Sequence, residues 1–156
     1  MAQNNKNLTV LTQAEQAAYY EAPDFNEEQH YEFLTLTQSE LDLAMSRGSW
    51  STRVYCCLQL AYFKAVNLFF KVSWNEVSNK TVSFILEQYF YDQKIKLSKI
   101  TDYEYYTQCT AIAQLYGFRM WESQFSELLL NKANELAKLN IGVWTGLVDL
   151  CHIWLH

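Results

Sequence analysis

The scarcity of turn-forming residues is the feature of this sequence that most limits its fold. The 156 residues include four glycines and a single proline, Pro23. Folds made of many short strands need frequent tight turns, which glycine and proline favour, whereas helices need few of these residues. Apolar side chains also recur at helical spacing along the chain. The sequence therefore predicts an all-α fold, a compact bundle of six to seven helices with a long central helix, in a single domain spanning residues 1–156.

Two capping patterns mark helix starts near the amino terminus. Thr12-Gln13-Ala14-Glu15 and Thr37-Gln38-Ser39-Glu40 each place a glutamate three residues after a threonine, as in a capping box. We expect the first helix to end before Pro23 and the second at Gly48, because proline cannot continue a helix and glycine often follows one. The acidic stretch DFNEEQHYEF between them is interpreted as a connector.

Five further helical segments are predicted from apolar periodicity. The central helix is expected from Ser51 to Lys71, the next from Ser78 to Tyr91, and another from Thr101 or Asp102 to Tyr116, with Gly117 after its end. Two more apolar series at helical spacing follow in the sequence: Phe125, Leu128, Leu129, Ala133 and Leu136, then Trp144, Leu147, Val148, Cys151 and Leu155.

Charge is distributed unevenly along the chain. Residues 1–46 hold one basic and eight acidic side chains, residues 47–99 hold eight basic and three acidic, and residues 100–156 hold three basic and six acidic. The middle segment therefore carries +5 although the whole protein carries −5. Such an asymmetry can create a local basic surface on an acidic protein.

The central helix is predicted to have a broad apolar face and a narrow basic stripe. At about 100° per residue, Tyr55, Leu58 and Tyr62 point in one direction. Arg53, Lys64 and Lys71 point in the opposite one, joined by Asn67 and Cys57.

The residues indicate neither catalysis nor cofactor binding. No Ser-His-Asp set, glycine-rich phosphate loop or CxxC metal motif is present. The four cysteines and five tryptophans are interpreted as core residues. The amino terminus lacks the pattern of a signal peptide, and no apolar run reaches the length of a membrane span. We therefore expect a cytoplasmic protein that is not an enzyme and has no cofactor, metal or membrane partner.

The order of five motifs resembles the N-terminal domain of the large replicative transposases of the Tn-three family. The resemblance covers residues 8–155 and rests on these stretches: LTQAEQAAYYEAP, HYEFLTLTQSELDLA, RVYCCLQLAYFK, SFILEQYF and YYTQCTAIAQLYGFR. The matching positions in the third and last motifs are Arg53, Leu58, Gln59, Leu60, Tyr62 and Lys64, then Ile112, Tyr116, Gly117, Phe118 and Arg119.

The resemblance implies a helical domain that binds double-stranded DNA at the terminal inverted repeats of a transposon. It also implies that strand transfer belongs to a separate catalytic domain of a larger transposase, of which this chain would be the N-terminal part. The residues expected to contact DNA are cations for phosphates and amides for base edges: Arg47, Arg53, Gln59, Lys64, Asn67, Lys71, Lys94, Lys96 and Lys99.

A second interpretation remains open. The chain could be a helical protein-interaction module derived from a transposase fragment, without affinity for DNA. The acidic residues 1–46 and the apolar C-terminal helix favour this alternative, in which a homo-oligomer forms through Trp144, Leu147 and Trp154.

Overall fold

The computed structural model describes residue 12 and residues 20–91, 93–119 and 124–138. These residues form six helices and no strand, which confirms the predicted all-α class for them. None of the helices in these ranges is long and apolar enough to cross a membrane. The predicted helices after Thr12 and around residues 144–155 fall outside the described residues. In chain order the helices are α1 (Glu27–Phe33), α2 (Gln38–Met45), α3 (Trp50–Val66), α4 (Asn79–Tyr89), α5 (Asp102–Leu115) and α6 (Gln124–Lys138).

The chain divides into two compact units, residues 1–105 and 106–156, and the division falls inside α5. The first unit contains α1 to α4, with α3 in contact with α1, α2 and α4. The second contains the rest of α5, where Cys109, Ile112 and Ala113 are buried, and α6. All nine side chains expected to contact DNA belong to the first unit.

The acidic stretch interpreted as a connector instead contains α1. Asn26 begins this helix by accepting a hydrogen bond from the Gln29 amide at 3.0 Å, while Gln29 Oε1 accepts one from the Asn26 amide at 3.1 Å. This is a reciprocal capping box with Asn and Gln in place of Thr and Glu. Glu27 and Glu28 occupy the first turn, where the helix dipole favours negative charge.

The predicted start of α2 is confirmed. Thr37 caps the helix, and Glu40 Oε2 accepts a hydrogen bond from the Thr37 amide at 2.6 Å. The helix ends at Met45, with Ser46 rather than Gly48 as its C-cap. Glu40 is buried, so its carboxylate closes the first turn of α2 inside the protein.

The long central helix, α3, has 17 residues and is enclosed along its middle. Every residue from Val54 to Phe63 is buried. Since burying one large apolar side chain stabilises a fold by about 1.5–3 kcal/mol, this helix contributes much of the core of the first unit. Ser49 begins α3 with a side-chain cap to the Thr52 amide at 3.2 Å.

The predicted continuation of the central helix to Lys71 is wrong. Asn67 ends α3 in the left-handed conformation, with φ of 56°, and residues 68–73 are not helical. Asparagine tolerates this conformation better than most residues, so a helix can end there without glycine. Lys71 therefore lies outside α3.

The remaining boundaries agree closely with the predictions. α4 begins and ends within two residues of the predicted limits, and α5 starts at Asp102. Gly117 follows α5 with φ of 79°, a conformation that favours glycine. Residues 93–100, called here the lysine connector, are not helical and join α4 to α5.

Candidate nucleic-acid interface

The lysine connector is held against the first turn of α3 by one hydroxyl group. Ser51 Oγ accepts hydrogen bonds from the amide of Ser98 at 2.8 Å and from its hydroxyl at 3.1 Å, and it donates to the carbonyl of Lys96 at 3.4 Å. Lys94 and Lys96 are exposed, whereas Ile95 between them is half-buried. Two lysines are thereby presented at the N-terminal end of α3.

Two arginines lie at the same end of α3. Arg53 Nε donates to the carbonyl of Arg47 at 2.9 Å, and its guanidinium carbon lies 4.6 Å from the centre of the Trp50 ring. Arg47 in turn donates to the carbonyl of Leu43, in the last turn of α2, at 3.2 Å. These contacts fix both arginine side chains, which is how a guanidinium can be pre-organised to bind an anion.

These cations form no ion pair with a carboxylate of the described residues, so they are available to bind an anion. In the described part of the chain, ion pairs join Lys64 to Glu40, Lys71 to Asp102 and Lys132 to Glu135. None of these pairs involves the cations that lie beside the start of α3. The amino end of a helix adds partial positive charge there. We call this surface the basic end and define it by Arg47, Arg53, Lys94 and Lys96.

Lys64 does not belong to the basic end. It lies in the last turn of α3, eleven residues after Arg53 and so about 16 Å away along the helix axis. Its Nζ donates to the carbonyl of Thr35 at 2.7 Å and lies 3.5 Å from Glu40 Oε2. With 19% of its side chain exposed, Lys64 joins α3 to α2 and to the residues before it.

Lys71 and Lys99 lie together near Asp102. Lys71 Nζ lies 2.6 Å from Asp102 Oδ1. This hydrogen bond is the main reason why the pKa of the carboxyl group of Asp102 lies below its ordinary value, and Lys99 lowers that pKa further. Both lysines are exposed, so they form a second positive site that already contains one carboxylate.

The two amides expected to read base edges have different positions. Gln59 is fully buried, and its side chain pairs with the backbone of Phe70, donating to the carbonyl at 2.6 Å and accepting from the amide at 3.3 Å. Gln59 is therefore a core residue in this structure. Asn67 is exposed at the end of α3.

The predicted basic stripe along α3 is thus wrong, because the helix is surrounded on all sides. Cys57, assigned to the polar face, is buried, as are Cys56 and Cys109. Burial raises the pKa of the Cys57 thiol, as expected for a structural cysteine. The structure gathers cations at the start of α3 and not along its length.

Sequence reasoning missed Trp50 and Ser51 as parts of this surface. Trp50 was assigned to the core, but 43% of it is exposed, and its ring contacts Phe90 edge-on at 6.0 Å. The spacing of Trp50 and Arg53 by three residues on a helix start was the available signal, since residues three apart are neighbours on a helix. Nothing local in the sequence pairs Ser51 with Ser98.

Comparison with known proteins identifies a family. A family model described as Domain of unknown function (DUF4158) matches residues 10–155. This chain belongs to that family. The DUF4158 match includes both units and every residue of the basic end. No curated protein and no solved structure matches the chain.

No metal-binding cluster of three or more His, Cys, Asp or Glu side chains occurs among the residues whose placement is described. The expectation that this DUF4158 member uses no metal stays a prediction.

Proposed function

We propose that this DUF4158 member is a DNA-binding domain of a replicative transposase resembling those of the Tn-three family. It would hold the terminal inverted repeats of a transposon and position them for a catalytic domain elsewhere in the protein. The observation that carries this proposal is the basic end, where two arginines and two lysines from segments far apart in sequence are held at the start of α3.

The basic end suits a phosphate backbone because its two arginine side chains and the backbone of the lysine connector are held in place before DNA binds. Arg53 is fixed by Trp50 and by the carbonyl of Arg47, while Ser51 fixes the backbone of the lysine connector. Pre-organised cations lose less conformational entropy on binding. Contacts to phosphates supply most of the affinity, release counterions and set the position of the protein on the duplex.

The family resemblance in the motifs supports the choice of transposon ends as the DNA. In the proposed mechanism this domain only binds and orients DNA, and it contributes no group to the cutting reaction. Two of the three other cations predicted to contact DNA have carboxylate partners: Lys64 pairs with Glu40 and Lys71 with Asp102. The basic end is therefore the part of the predicted surface that we assign to the phosphates of the duplex.

Fluorescence anisotropy with a labelled blunt DNA duplex at several salt concentrations tests the proposal. We expect binding that weakens steeply with salt. The double substitution Lys94→Gln with Lys96→Gln should reduce the slope of log affinity against log salt by about 1.8, because each lost phosphate contact accounts for about 0.9.

The matched control is Lys80→Gln with Lys138→Gln, which removes the same charge from two exposed lysines elsewhere. Lys80 lies in the first turn of α4, at the other end of that helix from Phe90, which contacts Trp50. An absence of binding at low salt would contradict the proposal, and so would an equal effect of the two double substitutions.

A second candidate function is a helical protein-interaction module. The observation that favours it is the exposure of Leu128 on α6, on the same face of that helix as the half-buried Phe125 and Leu129, since an exposed apolar helix face can mark a contact surface. Size-exclusion chromatography with light scattering tests it. A dimer that becomes monomeric on Leu128→Gln, in a protein without affinity for DNA, would favour this function over the first.

A further inference from the structure

A cavity lies beside the lysine connector, within the first unit. It has a volume of about 620 Å³, and its lining includes Tyr55, Trp74 and Tyr105 together with Lys71 and Lys99. We call it the tryptophan pocket. Its volume falls in the range of pockets that bind small molecules.

One side of the tryptophan pocket is lined by aromatic side chains. Trp74 Nε1 already donates to the carbonyl of Ser98 at 2.8 Å, and Tyr55 Oη is bonded to the backbone of Val72 at 3.1 Å. The two rings meet edge to face, with centres 5.4 Å apart. Tyr55 is buried, whereas Trp74 is only half-buried. With its polar atom occupied, the Trp74 ring is suited to stacking against a flat ligand.

The other side of the tryptophan pocket is positive. The ammonium groups of Lys71 and Lys99 both lower the pKa of the Asp102 carboxyl group. Lys71 Nζ also donates a hydrogen bond to Asp102 Oδ1 at 2.6 Å. The Asp102 carboxylate is exposed, with 74% of its side chain accessible, so an incoming anion can compete with it in water. A ligand for this pocket should therefore combine a flat aromatic part with an anionic group.

The lysine connector joins the tryptophan pocket to the basic end. Lys94 and Lys96 belong to the basic end, while Lys99, three residues after Lys96, lines the pocket. Ser98 links the two sites directly, because its amide donates to Ser51 at the start of α3 and its carbonyl accepts from Trp74 in the pocket. A nucleic-acid strand held at the basic end thus passes close to the pocket.

We propose that the tryptophan pocket binds one unpaired nucleotide of the DNA held at the basic end, with its base against Trp74 and its phosphate between Lys71 and Lys99. This inference rests on the proposed DNA-binding function and extends it to the class of DNA end that is preferred. A base inside a duplex is stacked on both sides and cannot enter a pocket, whereas a base in a single-stranded overhang can stack on an aromatic side chain.

The experiment compares two ligands in fluorescence anisotropy: a blunt duplex, and the same duplex with three unpaired thymidines at one end. The measured quantity is the ratio of the two affinities, in which the attraction to the phosphates of the shared duplex cancels. We expect the overhang duplex to bind about tenfold more tightly, the gain typical of stacking one base on an aromatic ring. The overhang is tested at the 3′ and the 5′ end, and the gain is expected at one of them at least.

Single substitutions assign this gain to the tryptophan pocket. Lys71→Gln and Lys99→Gln should each reduce the ratio severalfold, and because both side chains are exposed the variants are expected to fold. Asp102→Asn should raise the ratio, because it removes the carboxylate that competes with the phosphate. Lys80→Gln and Glu32→Gln are the controls for the loss of a positive and a negative charge, and both should leave the ratio unchanged.

The possible results separate this inference from the proposed function. If blunt and overhang duplexes bind equally well, the inference is overturned while the DNA-binding function stands. A preference for overhangs that persists in Lys71→Gln and Lys99→Gln also overturns it, since the unpaired base would then bind elsewhere. If neither duplex binds at low salt, the DNA-binding function and the inference fail together.

Discussion

The side-chain amide of Gln59 forms hydrogen bonds with both backbone polar groups of Phe70, at 2.6 Å to the carbonyl and 3.3 Å from the amide. These two hydrogen bonds hold the segment that follows α3 against α3 itself. The side chain of Gln59 thus does for Phe70 what a neighbouring strand would do in a sheet, because buried backbone groups need hydrogen-bond partners.

Replacing Gln59 should therefore affect stability and not base recognition. We expect Gln59→Leu to lower the free energy of unfolding by about 1–3 kcal/mol, since it leaves the buried Phe70 amide without its acceptor. The Phe70 carbonyl keeps its hydrogen bonds from the Tyr55 hydroxyl and the Val72 amide. Urea denaturation followed by circular dichroism measures the change. Gln88→Leu, the same substitution at an exposed site on α4, should change stability by less than about 0.5 kcal/mol. A stable Gln59→Leu protein would contradict the assigned role.

Lys64 is expected to stabilise the fold and not to bind phosphate. Lys64→Met removes the donor to the Thr35 carbonyl and the cation next to the buried Glu40 carboxylate. We expect a loss of about 2 kcal/mol, because the buried Glu40 carboxylate loses its ion pair while it keeps the hydrogen bond from the Thr37 amide. The salt dependence of DNA binding should be unchanged at a temperature where the variant is folded. A smaller salt slope for Lys64→Met would show that this side chain contacts DNA after all.

The left-handed conformation of Asn67 can be separated from a role in reading bases by two substitutions. Asn67→Gly should preserve stability, because glycine adopts positive φ without strain, whereas Asn67→Ala should cost about 1 kcal/mol. Thermal unfolding measures both changes. Affinity for DNA should be the same in the two variants at a temperature where both are folded. A loss of affinity common to Gly and Ala would mean that the amide of Asn67 contacts DNA.

The ion pair between Lys71 and Asp102 should be visible in the titration of Asp102. Its pKa lies below the ordinary value of 3.8, chiefly because of the hydrogen bond from Lys71. A carboxyl group whose pKa is lower in the folded state than in the unfolded state stabilises the fold above about pH 4. This contribution to stability is lost as the pH falls through the folded-state pKa. Lys71→Gln should raise the pKa of Asp102 toward 3.8.

Nuclear magnetic resonance of the Asp102 side-chain carbons measures this pKa. Lys99→Gln serves as the comparison and should raise the pKa less, since Lys99 forms no hydrogen bond with Asp102 among the contacts of the described residues and has the smaller influence on it. A larger rise in Lys99→Gln than in Lys71→Gln would contradict the geometry at the edge of the tryptophan pocket.

The buried cysteines should resist alkylation while the protein is folded. Cys56, Cys57 and Cys109 are buried, and burial raises the pKa of the Cys57 thiol, so the reactive thiolate is scarce. In a Cys151→Ser background, which removes the cysteine outside the described residues, labelling with iodoacetamide at pH 8 should be slow in buffer and complete in urea. Rapid labelling of the folded protein would contradict this and would mean that α3 or α5 opens readily.

Local patterns predicted the parts of the fold that depend on local interactions. The sequence shows the capping box at Thr37 and Glu40 and the glycine after α5, because these features depend on residues that lie within one helical turn of each other. The equivalent box at Asn26 and Gln29 was missed, since it uses amides inside a stretch that was interpreted from its acidic composition.

The candidate interface was harder to predict because it depends on packing between distant segments. The angular position of Arg53 and Lys64 on α3 was calculated correctly, but whether a helix face meets solvent depends on the helices around it. Burial of α3 on all sides moved Gln59 into the core and separated Arg53 from Lys64. The connection between Ser51 and Ser98 spans 47 residues of sequence, and no periodic pattern reports it.

The hydroxyl of Ser51 helps to hold the basic end together. Because the Ser51 hydroxyl oxygen holds residues 96 and 98 at the start of α3, the same hydrogen bonds position the backbone that carries Lys96 of the basic end and Lys99 of the tryptophan pocket. Local melting of this segment would disperse the charges of the basic end and deform the tryptophan pocket at the same moment. Under the proposed function, affinity for DNA and local order would be coupled through a single side chain that carries no charge of its own.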